Sequence, residues 1–180
     1  MEDRRKEKIS HLESQLGRIS ELITRADTKT AILLALLGVV IASALSKENL
    51  ENLFSTFQLI TSSYSPGISA LLSIVIALPY LLLLAGLVFL VISLFAKITK
   101  KTAEIPSSNL FFRNIADFET LETFEESFSV TLNNLESELM TEILINSKIC
   151  SSKYRLFNIG LILVAMGSIF LVIMQVILAV

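Results

Sequence analysis

The residues best placed for chemistry are two short charged clusters, Arg25-Ala26-Asp27-Thr28-Lys29-Thr30 and Lys153-Tyr154-Arg155. Each stands just before a long uncharged stretch. Asp27 is an acid about one helical turn from apolar sequence, where desolvation works against its charge, so it should have a cationic partner. Lys153 or Arg155, at the equivalent depth before the last uncharged stretch, is the natural candidate. Arg25 and Lys29 fit anchoring at a membrane surface. So does Lys153-Tyr154-Arg155, because all three residue types are common at that depth. From the residues alone, a structural role and a ligand-holding role are both open.

Nothing else gathers into a reaction centre. The chain carries no Gly-x-Gly-x-x-Gly, no Gly-Lys-Ser/Thr, no His-Glu-x-x-His and no Gly-x-Ser-x-Gly. One cysteine, Cys150, and one histidine, His11, exclude an intramolecular disulfide and a dense Cys/His metal cluster. Neighbouring carboxylates such as Glu125 and Glu126 read as a solvated helix face. The expectation is a protein that is not an enzyme and holds no metal or resident cofactor.

The elements that position the two clusters are membrane helices. Apolar residues make up 53% of the chain and charged residues 18%, a balance that a soluble chain of this length rarely tolerates. The formal net charge of -2 gives no reason to expect a nucleic-acid partner. Three uncharged stretches, 30–46, 68–96 and 156–180, approach or exceed the ~20 apolar residues that span a ~30 Å hydrocarbon core. The first is short and draws on Thr28 or a snorkelling Lys29 to complete its crossing. The amino terminus is charged in both signs and lacks the apolar core of a cleavable signal peptide, so crossing one should serve as its own insertion signal. Pro79 in crossing two fits a tolerated kink better than a pore-lining hinge.

Charge near the crossings sets the orientation. Arg18, Arg25, Lys29, Lys97, Lys100, Lys101, Lys148, Lys153 and Arg155 fall on one side, and Lys47 alone on the other. By the positive-inside rule the amino terminus is cytoplasmic and the carboxyl terminus periplasmic. The expected layout is a cytoplasmic amphipathic helix over 1–29, crossing one, a periplasmic loop over 47–67, crossing two, a cytoplasmic loop and long amphipathic helix over 97–155, and crossing three.

Two amphipathic patterns fill the cytoplasmic part. Ile9, Leu12, Leu16, Ile19, Ile23 and Ala26 recur at threes and fours, with Gly17 a weak point. Leu121, Phe124, Phe128, Leu132, Leu135, Leu139 and Ile143 do the same, with no helix breaker from 120 to 157. An acidic start and a basic end suit the macrodipole of that second helix. Neither stripe is stable in water alone, so they should pair within the chain, across a homo-oligomer, or both. The predicted fold is an all-α membrane protein, with three transmembrane helices and a cytoplasmic bundle of amphipathic helices.

Several short motifs, taken in order, resemble a known family. They are Ala26-Asp27-Thr28-Lys29 before crossing one, Leu110-Phe111-Phe112 with Ile115-Ala116, and Asn146-Ser147-Lys148-Ile149 with Lys153-Tyr154-Arg155 before crossing three. Together, over about 16–167, they resemble the transmembrane effectors of the Pycsar antiphage systems. In that family an alanine usually follows the lysine of Ala-Asp-x-Lys, where this chain has Thr30. A glycine is common after the two phenylalanines, where this chain has Arg113. The second departure removes a permissive backbone position and adds a charge.

The resemblance implies a partner pyrimidine cyclase that makes cyclic CMP or cyclic UMP on phage infection. The effector binds that messenger and damages the bacterial inner membrane, so the infected cell dies before phage are released. The cytoplasmic unit would then be the sensor and the crossings the output. Arg113, Lys153 and Arg155 are candidates to hold the phosphate. Phe111, Phe112 or Tyr154 could stack on the base, although Phe111 and Phe112 also suit plugging a gap between helices. Arg25, Asp27 and Lys29 would couple sensor to membrane. The lipid bilayer and further copies of the chain are the remaining partners. The competing reading is a membrane scaffold or small channel subunit whose cytoplasmic helical bundle binds a protein.

Overall fold

A computed structural model describes residues 2–95, 115 and 118–179. Five helices occupy them: α1 (Glu2–Ala44), α2 (Lys47–Ser63), α3 (Pro66–Leu94), α4 (Leu121–Asn133) and α5 (Leu135–Ala179). Three of these, α1, α3 and α5, are long and apolar enough to cross a membrane, as the sequence leads one to expect. The amphipathic arm and crossing one form a single unbroken helix, α1, because no proline intervenes and Gly17 alone does not stop it.

Two segments differ from the sequence reading. Most of the expected loop over 47–67 is helix α2. Ser46 caps it, its hydroxyl accepting from the Asn49 backbone N–H, and Glu48 sits in the first turn where a negative charge favours the dipole. Leu50, Leu53, Phe57 and Ile60 recur at helical spacing beneath the Ser/Thr composition that reads as loop. Ser65-Pro66 then starts α3, with proline in the first turn, where its missing N–H costs nothing.

The second difference lies in the long amphipathic stretch, which is two helices. Asn134 leaves helical geometry (φ -109°, ψ 20°), its N–H donating to the Thr131 carbonyl while its own carbonyl accepts from Ser137 and Glu138. That single residue ends α4 and begins α5. The interruption shifts the helical phase, so the expected stripe does not hold across it. Leu121, Phe128 and Leu132 are exposed on α4, and its buried position is Thr131. On α5, Leu139 is buried as expected.

The chain forms two compact units. One takes in α1 through Asp27 and the segment that ends at Tyr154, including α4. Here Ile9, Leu12, Leu16, Ile19 and Ile23 are half-buried and Ala26 is fully so, as the seam predicts. The other unit holds Thr28–Phe95 and the chain from Arg155 onward. Its core is Leu37, Ala44, Leu83, Leu90, Val164 and Leu171. Three glycines let α3 and α5 meet closely there. A Cβ placed on Gly86 would lie 2.7 Å from Val164 Cγ2, one on Gly160 2.8 Å from Leu90 Cγ, and one on Gly167 3.0 Å from Leu83 Cγ. In lipid, where no hydrophobic effect drives helices together, such small-residue contacts let dispersion do so. The outward residues of the same helices, such as Val39, Leu71, Ile74 and Val172, are exposed and apolar, as a lipid-facing surface must be.

Candidate functional site

Asp27 and Lys153 meet. The Lys153 ammonium donates to Asp27 Oδ1 at 2.6 Å, joining α1 to α5 within the first unit. The lysine side chain is 7% exposed and the aspartate 40% exposed, so the cation is the buried partner. A buried ammonium is costly unless a carboxylate compensates it, and Asp27 supplies that charge. Position dictates the pairing: Asp27 follows the buried Ala26 on α1, and Lys153 continues the inner face of α5 set by Leu139, Ile145, Ile149 and Cys150.

The neighbours reinforce the junction. The Tyr154 hydroxyl donates to the Leu22 carbonyl at 3.4 Å, a second tie between the same two helices. Arg25 is turned outward to Glu21 one turn earlier, at 2.6 Å, an exposed pair of the kind that contributes ~0.5 kcal/mol or less. Thus Arg25, Asp27, Lys153 and Tyr154 share one unit; the structure brings Asp27 and Lys153 into contact, while Tyr154 meets α1 at Leu22. Lys29 and Arg155 are exposed and belong to the other unit. Phe111, Phe112 and Arg113 lie outside the described residues, as do Lys97, Lys100 and Lys101.

One buried acid escapes the sequence reading. Glu142 is 5% exposed, and Asn146 donates its side-chain N–H to Glu142 Oε2 at 3.3 Å. Leu135, Leu139, Glu142, Ile149 and Lys153 follow one another at spacings that keep them on a single face of α5. Reading that face as a continuous stripe, rather than by its apolar members alone, marks Glu142 and Lys153 as charges set into an apolar seam. Among the described residues no three His, Cys, Asp or Glu side chains gather as a metal site requires.

At the far end of the first unit, Arg5 and Lys8 of α1 both reach Glu136, in the first turn of α5. Arg5 also donates to the Asn133 carbonyl at 3.1 Å, where the end of α4 carries partial negative charge. The second unit contains a buried polar contact of its own. Thr30 and Ser93, each 1% exposed, approach at 3.3 Å, and the Ser93 hydroxyl donates to the Leu90 carbonyl at 2.8 Å. Both ties are uncharged, as an apolar surround requires.

Comparison with known proteins adds one match. A family model described as the Pycsar effector protein domain fits residues 11–180, all but the first ten residues of the chain. No curated protein and no solved structure matches it.

Proposed function

We propose, from the premise that this chain belongs to the Pycsar effector family and is thus an antiphage membrane effector, that cyclic CMP or cyclic UMP from a partner cyclase switches it on. Once activated it impairs the integrity of the bacterial inner membrane and the infected cell dies. The amino terminus is cytoplasmic and the carboxyl terminus periplasmic, on the strength of the basic residues that cluster on one side of the crossings.

The observation that carries this reading is the Asp27–Lys153 pair. It joins the two long helices at the residues where the charged unit ends, and both helices continue unbroken into the apolar unit. A ligand that alters this pair has a direct mechanical route to the crossings. The messenger offers one phosphate charge, a ribose and a flat base. Arg113, Lys153 and Arg155 are the proposed phosphate holders, and Phe111, Phe112 and Tyr154 the proposed stacking groups. Lys153 already holds a carboxylate, so a phosphate at this lysine competes with Asp27 or shares its donor. That competition is the proposed trigger, with Arg25, Asp27 and Lys29 as the coupling residues.

A ligand shifts such an equilibrium only by its differential affinity, and moving a population from 1:99 to 99:1 takes about 5.5 kcal/mol. Three helices from one chain surround little space, so the active form is a homo-oligomer. The test is thermal stability of the detergent-purified chain against a panel of 3′,5′-cyclic nucleotides. A concentration-dependent rise with cyclic CMP or cyclic UMP alone is the expected result, about 2.7 kcal/mol at one hundred times Kd. A rise with purine nucleotides only, or with none at saturating concentration in lipid nanodiscs as well, overturns the reading.

A further inference from the structure

The transmembrane unit contains a polar cavity of about 470 Å³. Ser43, Asn52, Ser55, Thr56, Tyr80 and Gln175 line it, contributed by α1, α2, α3 and α5. Its depth follows from helix geometry. Thr30 and Ser93, in contact, stand at the start of the uncharged stretch of α1 and one residue before the end of α3, and so mark one edge of the core. Ser43 lies thirteen residues beyond Thr30, and Tyr80 thirteen before Ser93, ~20 Å along each helix at ~1.5 Å per residue. The two positions are level with each other, since Ile41, Ala44 and Leu45 share a small cavity with Tyr80 and Leu83. Ser43 and Tyr80 therefore stand about 10 Å inside the far face of a hydrocarbon core ~30 Å thick, and the exposed Lys47 and Glu51 of α2 set the α2 side of the cavity toward that face.

Polar side chains at such depth are costly in lipid and are placed where water or a passing solute meets them. The neighbouring cavity of about 660 Å³ shows the contrast. Leu72, Val75, Ile76, Pro79, Phe170 and Ile173 line it, an apolar wall suited to acyl chains. Helix α2 separates the two chemistries. Asn49, Asn52 and Ser55 serve the polar cavity, Leu59, Ile60 and Tyr64 the apolar one, and Thr56 borders both. At ~30 Å³ per molecule the polar cavity has room for on the order of ten waters.

We infer that this cavity is the water-filled vestibule through which small hydrated solutes leave or enter when the membrane is breached. The inference rests on the reading of the chain as a membrane-permeabilising effector. No charged side chain lines the vestibule, so the leak discriminates poorly between K⁺ and Cl⁻, which charged rings would otherwise sort.

The test uses the full chain in membrane vesicles, with Cys150→Ser removing the native thiol. Single cysteines replace Ser43 or Tyr80 at the vestibule wall and Val172 on the exposed apolar surface of α5 at similar depth. A membrane-impermeant maleimide is applied to right-side-out and inside-out vesicles. Thiols react as thiolates and need water to ionise, so Ser43→Cys and Tyr80→Cys label at least about tenfold faster than Val172→Cys, from one side only. Equal rates at all three positions overturn the vestibule. Melting temperatures identify any variant that fails to fold, and Ser43→Cys alone then decides. In vesicles that leak on messenger addition, labelling at Ser43→Cys abolishes most of the K⁺ and Cl⁻ flux. A flux unchanged by complete labelling makes the cavity a dead end and overturns its role in permeation. Failure of the messenger reading looks different: the labelling contrast persists, while no nucleotide raises stability or leak.

Discussion

The two units of this chain use opposite means to hold helices together. In the unit that ends at Asp27 and Tyr154, the specific ties are electrostatic: a buried lysine on Asp27, a buried Glu142 within reach of Asn146, and two basic side chains on Glu136. Its α1 seam is half-buried as far as the fully buried Ala26, and it faces the buried Leu139, Ile145, Ile149 and Cys150 of α5. In the transmembrane unit the ties are steric. Gly86, Gly160 and Gly167 bring α3 and α5 into contact, and the buried polar contact of Thr30 with Ser93 is uncharged. The solvent explains the contrast. The pairs of Arg5 and Lys8 with Glu136 face partly into water and can be remade at modest cost, whereas close-packed glycines in lipid leave little freedom to slide. In the function proposed above, the charge-held unit is the sensor of the anionic ligand and the shape-held unit the output.

The sharpest way to break this comparison is at Asp27. Asp27→Ala removes the carboxylate that compensates a lysine side chain only 7% exposed, and stability falls by about 2–4 kcal/mol. Adding Lys153→Met, which removes the buried charge as well, restores most of the loss. Chemical melts of both single variants and the double one close the cycle, and simple additivity would show that the two residues do not act as a unit.

Next in size is Gly86→Ala. Its new methyl would lie 2.7 Å from Val164 Cγ2 and 3.1 Å from the Val164 backbone nitrogen, so α3 and α5 must separate, at about 1–3 kcal/mol. Pairing it with Val164→Ala relieves the side-chain clash and leaves the backbone one. Partial recovery of the melting temperature is the expected signature.

The smallest effect has the opposite sign. Gly17 has nothing within 4 Å of where a Cβ would stand. Gly17→Ala therefore raises stability by about 0.5–1 kcal/mol through lower unfolded-chain entropy. The same substitution destabilising one unit and stabilising the other is the direct measure of how differently they are packed. A loss at Gly17 would mean that its open face is covered in the assembled protein.

Much of the fold was legible because the bilayer imposes its own rules. Long uncharged runs in a chain with basic residues on one side leave few alternatives to three crossing helices. Asp27 needed a cation, and hydrophobic depth alone narrowed its partner to Lys153 or Arg155. What stayed illegible depended on context. Ser and Thr along 47–63 look like loop, yet Ser46 caps a helix whose apolar positions are spaced for α3. The apolar residues of 121–143 read as one stripe until Asn134 breaks the helical phase and turns Leu121, Phe128 and Leu132 outward. Glu142, buried on the inner face of α5, escapes a reading that takes an apolar stripe from its apolar members.

Composition and periodicity by themselves determined the membrane class, the number of crossing helices and the need for a counter-charge at Asp27. These follow from transfer free energies that each residue carries wherever it sits. Only the tertiary structure decided that Lys153 rather than Arg155 answers Asp27, that three glycines form the contact between α3 and α5, and that polar groups from four helices converge on one cavity. Such choices rest on which side chains meet across helices, a matter of angle and approach that local sequence does not contain.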